Sequence, residues 1–278
     1  MANTQVLKQS SFKDFNEKIR LPKMQSYLED VLGAKKSEFV SNLIAVVSGN
    51  ESLQKCDPTS LIYTAMKATA LNLPIEPSLG KAAIIPYNDT KSGMVKAQFQ
   101  VMRDGWVELL QRSGQVQFIA NEAVHEGELV KKNKFTGEYV FDEDKRTSDK
   151  VIGYMAYIRL LNGFEKTVFW TIDEINEHAK HYSQTYKLGY GLWKDNYDAM
   201  AKKTVLKHLI KKYAPTSVAV VMEAMKLDQA TFDEEHRDKA QYLDNDAEEA
   251  DATEIKDETP EEKKARVRQA KSDNPKLP

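Results

Sequence analysis

The chain has a single cysteine, Cys56, in 278 residues. One thiol excludes an internal disulfide and any zinc site built from several thiolates, and it fits a reducing compartment. No apolar run approaches the roughly 20 residues that a membrane span requires, and Met1 to Lys8 lacks the apolar core of a signal peptide. A soluble, intracellular protein with no membrane partner is expected. Catalytic signatures are missing as well. Gly80-Lys81 has neither the earlier glycine nor the following hydroxyl of a phosphate-binding loop, so ATP-driven chemistry is not expected. There is no Gly-x-Ser-x-Gly and no His-Glu-x-x-His, and Cys56 has no base beside it in the chain. His178 and His181, near Asp173, Glu174 and Glu177, are loosely spaced around Lys180 and read as a solvated helix face rather than a metal site.

Charge, by contrast, is plentiful, at 29% of residues, and the net charge of −2 conceals an asymmetry. From Asp228 to Pro278 there are 16 acids and 9 bases, which leaves a body of residues 1–227 with 26 acids and 31 bases. A mildly basic body with an acidic tail is a common arrangement in proteins that bind nucleic acid. The tail is poor in hydrophobic residues and is expected to be largely disordered from 229 to 278. Residues 1–20 are polar and are expected to be flexible, which leaves 21–228 as the working domain.

Within that domain the periodicity is helical from Pro22 to about Pro74. Met24, Tyr27, Leu28, Val31 and Leu32 share one face; Phe39, Val40, Leu43, Ile44 and Val47 form the next stripe; Asp57-Pro58 opens a third helix with a capping carboxylate and proline at the first turn. The period then changes. Lys81 to Tyr87 reads as a strand, on an edge or beside a bulge because of Pro86, and Asn88 to Gly93 is turn chemistry containing Lys91. Val95, Ala97, Phe99 and Val101 alternate with Lys96, Gln98 and Gln100, so the hairpin has one apolar face and one amide-rich face. Asp104 is expected to cap a short helix from Trp106 to Arg112.

A second hairpin flanks Asn162-Gly163. A two-residue turn would set Arg159 across from Lys166 and Tyr157 across from Val168. Two cations facing each other destabilise a ladder unless an anion lies over them. The same anomaly recurs in Tyr197 to Tyr213, a helix that ends before Pro215. Val205, Leu206, Leu209, Ile210 and Tyr213 make its apolar arc, Lys203, Lys207 and Lys211 lie beside it at i, i+4 and i+8, and Lys202 sits inside the arc. Lysine stems snorkelling over a core edge would explain this pattern, and so would a polyanion docked along the helix. Single strands are held by cations that follow the phosphates and by aromatic or polar faces that accept any base. Lys81, Tyr87, Lys96, Gln98, Arg103, Arg112, Tyr157, Arg159, Lys166, Trp193 and the lysine helix supply both, whereas Trp106 and Trp170 read as core.

Three ordered motifs carry a resemblance. Ala70-Leu-Asn-Leu-Pro-Ile-Glu-Pro-Ser-Leu-Gly-Lys-Ala-Ala-Ile-Ile-Pro-Tyr87, Gln98-Phe-Gln-Val-Met-Arg-Asp-Gly-Trp-Val-Glu-Leu-Leu-Gln-Arg-Ser-Gly114, and Trp193 through Met-Ala-Lys-Lys-Thr204 resemble the RecT family of phage single-strand annealing proteins over residues 25 to 225. The resemblance implies an α+β fold of the lambda Beta-like annealing type, with a small antiparallel sheet and β-hairpins packed on several helices beside a basic groove. It implies ATP-independent binding of single-stranded DNA, annealing of complementary strands, retention of the annealed duplex, and ring or helical homo-oligomers. It also implies a phage exonuclease as partner, a host single-strand-binding protein contacted through the C-terminal tail, a bacterial cytoplasmic location, and no cofactor beyond Mg²⁺ as an aid to the DNA complex. The family pattern falls on Arg103, Gly105, Arg112, Ser113, Gly114, Trp193, Lys202, Lys203 and Thr204; Tyr197 stands where some members carry tryptophan, and His208 where some carry arginine.

On this reading Lys202, Lys203, Lys207 and Lys211 neutralise phosphates, with Lys202 directed inward at one of them. Arg103 and Arg112 anchor the DNA backbone or the helix they flank. Lys81, Tyr87, Lys96, Gln98, Arg159, Lys166, Trp193 and Tyr197 complete the DNA-binding set, and no catalytic or metal-ligating residue is assigned. A metal-dependent nuclease and an RNA-binding phage protein stand as the alternatives.

Overall fold

The computed structural model describes residues 8–242 apart from 90, 91, 134, 190, 216 and 217. Lys91 and the acidic tail beyond Tyr242 therefore lie outside the described residues. Five helices come first: α1 (Phe12–Arg20), α2 (Pro22–Leu32), α3 (Lys36–Ser48), α4 (Glu51–Gln54) and α5 (Pro58–Ala70). The strands β1 (Ala82–Asp89) and β2 (Met94–Val101) lead to α6 (Arg103–Arg112), then β3 (Val116–His125), β4 (Leu129–Asn133), β5 (Glu138–Phe141), β6 (Val151–Leu160) and β7 (Glu165–Thr171). The chain continues through α7 (Ile172–Tyr182), α8 (Gln184–Lys187), α9 (Leu192–Asp195), α10 (Tyr197–Tyr213) and α11 (Ala219–Leu227) to the short strands β8 (Ala230–Thr231) and β9 (Gln241–Tyr242). The expected α+β class is what is found: antiparallel sheets ordered β1-β2-β8-β9 and β3-β6-β7, with β4-β5 as a separate hairpin, all packed with helices.

Local chemistry explains most boundaries. Asp57 accepts the Ser60 N–H at 2.8 Å and Pro58 follows it, so α5 starts where the cap and the fixed proline φ dictate. Thr171 and Glu174 form a reciprocal capping box on α7. On the side of β2 away from β1, where β8 pairs at Gln98 alone, α5 satisfies the neighbouring backbone, because Ala97 donates its N–H to Ser60 Oγ at 2.6 Å and Thr64 Oγ1 donates to the Ala97 carbonyl at 3.0 Å. On the other sheet, α10 covers the face that carries Tyr154, Ala156, Ile158 and Leu160, and the β4-β5 hairpin lies over part of the opposite face through Tyr139, Phe141 and Phe169.

Four expectations are corrected. Residues 11–20 are not loose: Ser11 and Asp14 form a capping box that starts α1, and Phe15 and Ile19 are fully buried. The helix after the first hairpin begins at Arg103 with Met102 at its cap, so Asp104 sits in its first turn and pairs with Arg103 instead of capping. The hairpin at Asn162-Gly163 has a three-residue connection, Leu161 to Gly163. Leu160 donates its N–H to the Phe164 carbonyl, and Gly163 takes φ +84°, the turn-plus-bulge arrangement that a left-handed glycine permits. That one-residue change sets Arg159 across from Glu165 and Lys166 across from Ile158. No cation pair exists on this ladder. Finally, residues 229–242 do not begin a detached tail, because Ala230, Thr231 and Phe232 are buried against β2 and the helices.

Gly105 shows how closely α6 meets β1. A Cβ there would lie 2.0 Å from the Lys81 carbonyl oxygen. Gly105→Ala is expected to destabilise the fold by about 2 kcal/mol or more, as overpacking against backbone does, measured as a lower urea midpoint with an unchanged slope.

Candidate nucleic-acid interface

Helix α10 is the element that positions the basic residues. Asn196 caps it by accepting the Ala199 N–H at 3.2 Å, and Ala201, Val205, Leu206, Leu209 and Ile210 are buried against the β3-β6-β7 sheet. Fixing that apolar stripe fixes the direction of each lysine. Lys202 leaves the stripe at the β3 edge and reaches Glu122 at 3.2 Å and Asp198 at 3.4 Å. Lys203 turns into the junction with β2 and is only 6% exposed, its Nζ 3.1 Å from Gln100 Oε1 and 4.0 Å from Met102 Sδ. Burial holds its ammonium below the usual lysine range, Asp228 opposes that shift, and Lys207 adds to it. Lys207 lies 2.9 Å from the fully buried Asp228 and donates to Gln229 at 3.3 Å.

The charges of Lys202 and Lys207 are thus met by Glu122 and Asp228, acids distant in the chain. Asp228 is shared between the surroundings of Lys203 and Lys207, and it also accepts the Val101 N–H at 2.7 Å. The amide-rich face of the first hairpin is covered in the same manner. Lys96 is buried between Asp89 at 3.2 Å and Asp233 at 3.1 Å, while Gln98 donates to the Gln229 carbonyl and accepts from Gln100. The two carboxylates raise the Lys96 pKa against a desolvation that would lower it. Alternation along β2 predicted the polar face correctly; the segment that closes over it was not visible.

The flanking cations are paired with acids near the surface, with Arg159 exposed and Arg103 and Lys81 partly exposed. Lys81 pairs with Glu108 at 3.1 Å, Arg103 with Asp104 at 2.7 Å, and Arg159 with Glu165 at 3.0 Å. Arg112 donates to the Leu71 carbonyl at 2.9 Å, tying α6 to the C-terminal end of α5. Trp193 is buried in an aromatic cluster, edge-on to Tyr186 and Tyr197, and Tyr197 donates its hydroxyl to Asn176 at 2.7 Å. Neither presents an open ring face. Tyr87 is half-buried on β1.

A different set of cations is left facing outward, around the β7 edge. Lys211 and Lys212 are exposed at the last turn of α10, where the helix dipole favours positive charge. Half-buried Lys166 extends from β7 over the Tyr213 ring at 5.4 Å and reaches Gly137 in the β4-β5 turn. Lys132 of β4 lies over the Phe169 ring at 5.6 Å. None of these four has a carboxylate of the described residues at ion-pair distance, unlike Lys202, Lys207 and Lys96. Lys166 and Lys211 were in the expected set. Lys132, Lys212 and Tyr213 were not, since nothing in the spacing of residues 129–141 brings that hairpin to the end of α10.

His208 belongs to this region but not to its charge. Its ring packs on Trp170 at 4.6 Å, and burial together with Lys212 and Lys211 lowers its pKa to about 4. Unfolded, the imidazole titrates near 6.5, so the unfolded chain takes up the proton first and this part of the stability is complete above pH 6.5 and lost as pH falls toward 4. His208→Gln is expected to narrow the difference between the thermal midpoints at pH 7 and pH 5. An unchanged difference would show that carboxylates alone set the acid limb.

Among the described residues, no group of three or more His, Cys, Asp or Glu side chains is arranged to hold a metal ion. His178 packs against Trp170 and Tyr182. No helix of the described residues is long and apolar enough to cross a membrane.

The model of the RecT family matches residues 37–244, from α3 through the segment that covers the first hairpin. The chain belongs to the RecT family. It is 40% identical over 242 residues to the uncharacterized protein YqaK of Bacillus subtilis, which covers 87% of this chain and 78% of that protein. It is also 26% identical over 189 residues to Protein RecT of Escherichia coli, covering 64% of this chain and 65% of the relative. RecT membership gives the chain a role in single-strand annealing recombination as a DNA-binding protein.

Proposed function

We propose that this RecT-family chain grips the phosphate backbone of single-stranded DNA and anneals complementary strands without ATP, working as a homo-oligomer in phage recombination beside an exonuclease that exposes the strands. The observation that carries the reading is the set of outward cations without acid partners among the described residues, Lys132, Lys166, Lys211 and Lys212, gathered from three elements at one sheet edge. Cations directed at phosphate leave base edges exposed, and annealing requires exposed bases. Ammonium groups without internal carboxylates are available to release counterions from DNA. Mg²⁺ would assist by screening the duplex product, and the acidic tail would contact a host single-strand-binding protein.

The test mixes the protein with two complementary oligonucleotides, one carrying a fluorophore and the other a quencher, in the absence of ATP. Accelerated quenching with intact strands on a denaturing gel is the expected result. Mg²⁺-dependent shortening of the strands would instead identify a nuclease, and a preference for RNA over DNA in competition would identify an RNA-binding protein.

A further inference from the structure

Residues 233–242 cross a second basic surface, built from α1, α2, α5 and β2 and not from the elements at the β7 edge. Glu234 lies 3.4 Å from Lys18 of α1 and 3.8 Å from Lys23 of α2, Asp238 lies 3.7 Å from Lys67 of α5, and Asp233 lies 3.1 Å from Lys96 of β2. Arg237 stacks over the paired rings of Tyr27 and Tyr63, at 5.4 and 5.8 Å. Three carboxylates of one strap are thus matched to four lysines from four elements, around two aromatic rings. Cations beside aromatic faces are the chemistry that holds a nucleic-acid single strand. Among the described residues, Lys18, Lys23 and Lys67 have no carboxylate other than those of the strap.

The strap is held unevenly. Ala230, Thr231 and Phe232 are buried and anchor its start, with Lys67 over the Phe232 ring at 4.9 Å. Beyond Phe232 no residue of 233–242 is fully buried, and the ladder between β8 and β9 joins two residue pairs only. The partly exposed pairs made by Lys18, Lys23 and Lys67 contribute about 1 kcal/mol or less each, so a polyanion of higher charge density can take the place of Glu234 and Asp238 without disturbing Phe232, and the buried Lys96 keeps Asp89 as a partner when Asp233 leaves.

We propose that the surface formed by Lys18, Lys23, Lys67 and Lys96 with Tyr27 and Tyr63 is a second single-strand site, and that residues 233–242 are an internal acidic occupant that DNA displaces. The inference rests on the DNA-binding reading above and adds a site that the β7 edge does not include.

The test measures binding of labelled oligo(dT) to the full chain across a salt series. The strap variant Asp233→Asn, Glu234→Gln, Asp238→Asn is expected to bind about five- to tenfold tighter at low salt. A control that removes equal charge from exposed acids elsewhere, Glu143→Gln, Glu177→Gln, Glu223→Gln, should stay within about twofold of wild type, on the scale of ordinary surface changes. Adding Lys18→Ala and Lys67→Ala to the strap variant should abolish the gain. The inference is overturned if the strap variant equals wild type or the control, or if the gain survives loss of the two lysines. Hydrogen exchange of the unmodified protein gives a second reading that needs no variant: oligo(dT) should speed exchange of amides 233–242, and unchanged or slower exchange there overturns the displacement. A wild-type chain that neither binds nor anneals DNA removes the functional reading and this inference together. Binding and annealing by wild type, with an inert strap, removes this inference alone.

Discussion

Replacing Lys166, Lys211 and Lys212 together by alanine is expected to weaken binding of single-stranded DNA on the order of tenfold to a hundredfold at low salt. The slope of log affinity against log salt should become shallower by roughly 2, because each phosphate contact on a single strand contributes about 0.7 to it. Annealing should slow in parallel while the thermal midpoint hardly moves, since none of the three lysines has an acid partner among the described residues and none is fully buried. The contrast with Lys202, Lys203 and Lys207 is the informative part. Those three meet Glu122, Gln100 and Asp228, and their removal disturbs internal contacts before it touches any DNA. An unaltered salt slope in the triple variant would take the β7 edge out of the interface.

Asp228→Ala is expected to cost about 3–5 kcal/mol of stability, the range for removing one partner of a buried ionic pair. The carboxylate is fully buried at the end of α11 and accepts the Val101 N–H while facing Lys207. Its loss leaves a buried amide without an acceptor and two neighbouring lysines without their counterion. Asp228→Asn, which retains an acceptor for Val101, should lose distinctly less. Urea titration followed by tryptophan fluorescence measures both, with Trp106 fully buried in α6 beside this junction. Equal losses for the two variants would mean that the charge alone matters; a loss under about 1 kcal/mol for Asp228→Ala would place the junction among ordinary surface pairs.

Much of the secondary structure was legible in the residues. The caps at Asp57 and Thr171, the edge position of Pro86, the alternation along Val95 to Val101 and the apolar stripe of the lysine helix each act within a few residues, and each is found where expected. Local rules were less successful where two of them competed. Asn162-Gly163 allows a two-residue turn or a three-residue turn with a bulge, and the packing of β6 and β7 selects the latter. The charged and polar start of the chain concealed a helix whose fully buried anchors are Phe15 and Ile19, with Phe12 partly buried beside them, in an element that packs on α5, α2 and α3.

The sequence by itself determined that this is an α+β member of the RecT family with a basic amphipathic helix and an acidic C-terminal end. Only the tertiary structure decided which basic residues are available to a ligand. Lys96 and Asp233 stand 137 positions apart in the chain and 3.1 Å apart in space, and no periodicity relates them. Periodicity fixes the face on which a lysine lies, because backbone geometry is local. Whether that face meets a carboxylate or water depends on which distant segment packs against it: Asp228 to Tyr242 for Lys96 of β2 and Lys207 of α10, and β3 for Lys202.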